Sequence, residues 1–189
     1  MTSFTVVYDA CVLYPAPLRD FLMELALTDL FRAKWTDAIH DEWMRNALDD
    51  RPDIKPERLL RTQQLMDSNV RDALVIGYEF LIPTLSLPDE NDRHVLAAAI
   101  HSQASVIVTF NLKDFPEESL AQYHIKVTHP DDFIADLFDI DAAKVLQAAG
   151  THRQRLKNPK KTVEEYLDTL LKQGLPQTVN LLRGMATAI

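Results

Sequence analysis

Apolar residues in this chain follow two rhythms. Phe4-Thr5-Val6-Val7-Tyr8 and Ser105-Val106-Ile107-Val108-Thr109-Phe110 are short β-prone runs without a charge, and Ile125-Lys126-Val127-Thr128 is a third β-prone run, with one lysine. Runs of this length bounded by turn residues predict strands. Elsewhere apolar positions recur at three- and four-residue steps. Leu18, Phe21, Leu22, Leu25 and Ala26 predict a helix from Leu18, after a loop over residues 10–17. An extended stretch around Ala33-Lys34-Trp35 leads to Thr36, a favourable N-cap, and to a helix over residues 37–48 that carries Glu42. Pro56 suits the first position of a helix over residues 57–72. Residues 74–80 read as a short helix and 83–88 as irregular. Asp89-Glu90-Asn91-Asp92 opens a helix through Ile100, residues 111–116 form a turn, and residues 117–123 form another short helix.

This alternation predicts an α/β fold with a central parallel sheet and helices on its faces, over residues 1–130. Residues 131–189 read as a helical extension, with helices at 132–138, 142–149, 163–172 and 176–184. Within it lies a basic connector, His152-Arg153-Gln154-Arg155-Leu156-Lys157-Asn158-Pro159-Lys160-Lys161.

Composition narrows the chemistry. The single cysteine, Cys11, excludes an internal disulfide framework and a cysteine zinc cluster. The four glycines, Gly77, Gly150, Gly174 and Gly184, are too far apart for a dinucleotide fingerprint or a P-loop, and neither G-x-S-x-G nor H-E-x-x-H occurs. No apolar run approaches the roughly 18 residues of a membrane span, and Met1-Thr2-Ser3-Phe4-Thr5 has no signal-peptide character, so a cytoplasmic protein with no membrane partner is expected. The net charge of −8 is uneven: residues 1–150 hold 25 Asp/Glu against 13 Lys/Arg, whereas residues 151–189 hold 3 against 7. A phosphate backbone would therefore meet an acidic body with a basic tail.

The acids are the strongest chemical signal. Ligands of open parallel sheets bind beyond the carboxyl ends of the strands. Asp9 closes the first strand, and Asp114 lies in the turn after the Val106 strand, with Asn111 ahead of it. Asp92 precedes Val95 and Leu96 by three and four residues, and Glu42 follows Ile39 and Ala38 at the same steps, so both border apolar helix faces. Each acid alone has a structural reading, as a helix cap, a turn residue or a solvated side chain. Four acids at one mouth would repel one another and raise their own pKa values, a conflict that Mg²⁺ or Mn²⁺ relieves.

Val6-Val7-Tyr8-Asp9-Ala10, the helix with Glu42, Asp92-Arg93-His94-Val95-Leu96-Ala97-Ala98-Ala99 and Val108-Thr109-Phe110-Asn111-Leu112-Lys113-Asp114-Phe115 resemble, in order and spacing, the PIN domain. The resemblance covers about residues 4–130. It implies a three-layer α/β/α fold and a metal-dependent endoribonuclease, often the toxin of a bacterial toxin–antitoxin pair, that leaves a 5′-phosphate and a 3′-hydroxyl. It implies an RNA substrate, an antitoxin protein as partner and a homodimer. By motif, Asp9, Glu42 and Asp92 match the acids that hold Mg²⁺ or Mn²⁺. The place of the family's fourth acid holds Asn111, which offers a carbonyl oxygen and no charge; Asp114 is the candidate replacement. Asp9 is the expected central ligand, with Glu42 and Asp92 fixing geometry and Thr109 holding its neighbours by hydrogen bond.

Arg93 and Lys113 adjoin these acids, either to contact phosphate or to pair with the acids. Arg153 and Arg155 make the connector the candidate for extended RNA contact, with a solvated linker or a protein-docking segment as the other readings. His94 and His101, seven apart on one helix, have no second ligand at zinc spacing and read as surface or core residues; His40 reads the same way, and Cys11 as a small buried side chain. The competing function is a non-catalytic PIN-like module that binds RNA or protein.

Overall fold

Four parallel strands, β1 (Phe4–Tyr8), β2 (Phe31–Lys34), β3 (Val106–Val108) and β4 (Lys126–Thr128), form one sheet in the order β2-β1-β3-β4. The computed structural model describes residues 4–189. These fall into two compact units: residues up to Tyr14 with Phe31–His129, and Pro15–Leu30 with Pro130–Ile189.

In the first unit, Val6 pairs with Val106 and Tyr8 with Val108, bringing the carboxyl ends of β1 and β3 side by side. Val6, Val7, Tyr8, Ile107 and Val108 are fully buried, which explains why these strands lack polar alternation: helices cover both faces of the sheet in a three-layer α/β/α arrangement. The helices are α1 (Ala10–Leu13), α3 (Asp37–Asp50), α4 (Pro56–Asn69), α5 (Arg93–His101) and α6 (Glu117–Leu120). On α5, Val95, Leu96, Ala97, Ala98 and Ala99 are buried, and the small alanines let the helix approach β1 and β3 closely. Thr36 caps α3 by accepting the Ile39 N–H at 3.1 Å. Beneath α3, Trp35 Nε1 donates to Asp67 Oδ1 and Trp43 Nε1 to His40 Nδ1, so His40, fully buried, presents its Nε2 proton to Asp67. His40 is thus a core residue.

The second unit holds α2 (Ala16–Ala26), α7 (Pro130–Arg155), α8 (Val163–Lys172) and α9 (Pro176–Arg183). Leu18, Phe21, Leu22 and Leu25 of α2 are fully buried, each worth about 1.5–3 kcal/mol of apolar burial. Phe21 stacks on His152 of α7, whose Nδ1 meets the Tyr166 hydroxyl at 3.0 Å. A capping box of Thr162 and Glu165 starts α8, and Asp131 accepts the backbone N–H groups of Gln177 and Thr178 at the start of α9.

Local departures from the sequence reading have local causes. Residues 10–17 contain a helical turn, α1, because the Asp9 carboxylate accepts the Ala10 N–H and starts it. Residues 74–80 are not a helix. The Trp35 N–H donates to the Ala73 carbonyl and the Val75 N–H to the Trp35 carbonyl, a bridge that extends the β2 edge, and Gly77, at φ 75°, turns the chain before a 3₁₀ helix at Glu79–Thr84. The helices expected at 132–138 and 142–149 are present as two helices that meet at Asp141, whose extended backbone (φ −159°, ψ 89°) separates them and whose side chain caps the second by accepting the Lys144 N–H. No helix among the described residues is long and apolar enough to cross a membrane.

Candidate active site

The chain runs from β1 to β2 on one side and places β3 on the other, so the gap beyond Tyr8 and Val108 is the switch point where open α/β sheets bind ligands. Asp9 sits there, 3% exposed, its own N–H bonded to the Val108 carbonyl. Its Oδ1 accepts from Ala10 N–H at 2.7 Å. Its Oδ2 accepts from the Thr109 hydroxyl at 2.7 Å and the Cys11 thiol at 3.2 Å. Thr109 also accepts the Asn111 N–H at 3.0 Å, and Cys11 Sγ accepts the Phe110 N–H. Burial raises the Asp9 pKa; the bonds from Thr109 and Cys11 oppose that shift, and the Glu42 charge adds to it. The same burial, with Asp9 beside it, pushes the Cys11 thiol up to about 12, which keeps it neutral and rules it out as a nucleophile.

Three further carboxylates are coupled to this end of the sheet by charge: Glu42 acts on Asp9, and Asp9, Glu42 and Asp114 act on Asp92. Glu42 projects from α3, partly exposed, with its Oε2 3.3 Å from Nε2 of His94 on α5. Asp92 ends a 3₁₀ turn, Glu90–Asp92, at the entrance to α5; the turn is set by Asp89, which accepts the Asn91 N–H. Asp114 ends the 3₁₀ turn Leu112–Asp114 and is partly exposed. The Asp92 carboxyl is pushed up to about 7, first by burial and then by the charges of Asp9, Asp89, Asp114 and Glu42. Every one of those influences raises it.

The donor set suits a hard dication: all oxygen, mutually repelling, and open, since neither the Asp92 nor the Asp114 side chain makes a hydrogen bond or ion pair among the described residues. The side chains do not stand pre-closed. Among the described residues no three His, Cys, Asp or Glu groups converge at metal-ligating distance.

The remaining candidates divide sharply. Thr109 is fully buried and holds Asp9. Asn111 is exposed at the same mouth and Lys113 is exposed on the turn that carries Asp114. Arg93 is turned onto Glu90, bonding both its carboxylate and its carbonyl at 3.1 Å. Arg153 donates to the carbonyls of Lys161 and Ile189, and Arg155 pairs with Glu24, so both arginines are engaged inside the second unit. His101 packs on the ring of Phe80. His94, read from sequence as a surface or core residue, contacts a candidate acid; its place two residues after Asp92, in the first turn of α5, was the available signal.

Comparison with known proteins follows the same division of the chain. A sequence model of the family described as PIN domain matches residues 5–113, and one described as VapC50 C-terminal domain matches residues 130–184. A protein of Mycobacterium tuberculosis named "Putative ribonuclease VapC50" is 50% identical over 68 residues, covering 36% of this chain and 40% of that protein. The match therefore spans less than half of the relative's length. No solved structure matches.

Proposed function

Because the chain belongs to the PIN-domain family, matched over residues 5–113, we propose that it is an Mg²⁺- or Mn²⁺-dependent endoribonuclease that hydrolyses RNA phosphodiester bonds as the toxin of a toxin–antitoxin pair. The observation that carries this reading is the position of Asp9 at the switch point of the sheet, where the charges of Asp9, Asp114 and Glu42 all push the Asp92 carboxyl up. The toxin assignment draws on the 68-residue likeness to VapC50 and on the match of residues 130–184 to the VapC50 C-terminal domain. An antitoxin protein and a second copy of the chain are the partners it implies, and the cytoplasm the compartment.

Asp9 is the central ligand of the metal, with Glu42, Asp92 and Asp114 completing the oxygen set and Asn111 offering a neutral carbonyl. When bound, the ion supplies Lewis acidity that acidifies water and neutralises charge building on the phosphate. Thr109 fixes the carboxylate of Asp9, and its bond keeps that group easier to ionise than burial alone would allow. His94 is a positioning residue: its Nε2 holds one oxygen of Glu42 and leaves the other directed by that contact. Lys113 is the nearest exposed cation for a substrate phosphate. The proposed architecture keeps the nuclease in residues 1–130 and treats 131–189 as its helical extension.

The test is cleavage of RNA by the purified protein with Mg²⁺ or Mn²⁺, none in EDTA, and a loss of at least about 100-fold in Asp9→Asn. A second reading, a non-catalytic binding module, is favoured by Asn111 standing where an acid is expected and by the open spacing of the carboxylates. Metal binding without turnover on any RNA would select it.

A further inference from the structure

The protein has to meet a polyanion while itself carrying a net charge of −8. Both units are acidic: the first holds 17 Asp/Glu against 11 Lys/Arg, the second 11 against 9. The long-range field therefore repels a phosphate backbone, and contact needs a local concentration of positive charge. The two connector arginines do not supply it, because Arg153 is spent on backbone carbonyls and Arg155 on Glu24.

The segment just beyond them does. Lys157 and Lys160 are partners in an isolated antiparallel bridge that closes a tight turn around Asn158 and Pro159, and both are exposed. Bridge partners project on the same side, with Cβ atoms about 4.5–5.5 Å apart, and like charges so placed destabilise the pair. No acidic residue occurs between Gln154 and Glu164, and no ion pair of Lys157 or Lys160 occurs among the described residues. Lys161 follows and shares its charge with Glu165.

We infer that the Lys157–Lys160 turn is a phosphate-backbone contact for single-stranded RNA, replacing the arginines in that role. The inference rests on RNA being the substrate. Three features favour a nucleic acid over an acidic protein segment. Lysines act as point charges suited to phosphate, whereas the forked arginines that match carboxylates are already engaged, Arg153 on backbone carbonyls and the exposed Arg155 on Glu24. Residues 157–161 contain no aromatic or large aliphatic side chain, so they lack the buried anchor that a protein interface needs. The same lack leaves nothing to stack on or read a base, so the contact positions RNA without selecting sequence.

The experiment measures binding of a fluorescein-labelled oligouridylate to the full chain by anisotropy, in EDTA so that no cleavage intervenes, over a series of salt concentrations. The double substitution Lys157→Gln/Lys160→Gln is expected to weaken binding roughly tenfold and to flatten the log–log salt slope by about 1. Lys157→Arg/Lys160→Arg is expected to restore both, and neither pair to lower the thermal midpoint. Unchanged affinity and slope in the glutamine variant would overturn the proposal. So would lysine-dependent binding of poly-L-glutamate in place of the oligouridylate. The two readings separate cleanly: RNA cleavage with an unaltered slope removes only this contact, whereas a lysine-dependent slope in a protein that cuts no RNA with either metal removes only the nuclease.

Discussion

The hydroxyl of Thr109 donates to Oδ2 of Asp9 at 2.7 Å and so ties the residue after β3 to the residue after β1 across 100 positions of sequence. The same oxygen of Thr109 receives the Asn111 N–H, so one side chain sets both the acid and the turn beside it. Thr109→Val removes a donor that eases ionisation of Asp9 and leaves a backbone N–H unpaired. It is expected to cost about 2 kcal/mol in urea unfolding. The Asp9 pKa rises further, so the acid limb of the cleavage pH profile moves to higher pH, while Thr109→Ser stays near the parental curve. An unmoved profile would show that Thr109 serves packing alone.

The raised pKa of Asp92 makes a prediction with a definite sign. A carboxyl near 7 in the folded chain, against 3.8 normally, binds its proton more tightly when folded. Its contribution to stability is complete below about pH 4 and is lost as pH rises through about 7. Metal-free protein is therefore expected to lose stability between about pH 4 and about pH 7, and Asp92→Asn to remove that part of the loss. Because the group is partly exposed, solvent screening limits the effect to about 1–2 kcal/mol. Urea unfolding in EDTA across this range checks it; adding Mn²⁺ should stabilise the parent and leave Asp92→Asn nearly unmoved.

If His94 directs Glu42, its removal is felt at the metal before it is felt in the fold. His94→Ala is expected to weaken Mn²⁺ binding by about 10-fold or more, read by calorimetric titration. Equal affinity in parent and variant would reduce the contact to packing.

Arg155 provides a contrast with the lysine turn. Its partner Glu24 is largely buried, so Arg155→Ala leaves a carboxylate without its cation and is expected to destabilise the chain by about 1–2 kcal/mol. The salt dependence of oligouridylate binding should stay as it was. A flattened slope in Arg155→Ala would return this side chain to the RNA contact.

Much of this arrangement was legible in the chain itself. The uncharged runs around Val7 and Ile107 marked strands buried on both faces, and the acids closing or following them marked the mouth of a parallel sheet. What stayed hidden depends on contacts between distant residues. Nothing local to Val75 says that its backbone pairs with Trp35, so residues 74–80 looked helical. Charge alone does not tell an engaged cation from one open to a ligand, and Arg153 and Arg155 differ from Lys157 through partners at Ile189 and Glu24. The periodicity of Leu18, Phe21, Leu22 and Leu25 announces an apolar face without saying which helices cover it.

That last helix has a bearing on biosynthesis. Residues 15–30 leave the ribosome well before their packing partners, which begin only at Pro130. A product that stops near His129 would carry a greasy, uncovered cylinder between β1 and β2, an invitation to chaperones and proteases. Premature termination is therefore expected to yield material that is cleared rather than a small free-standing nuclease.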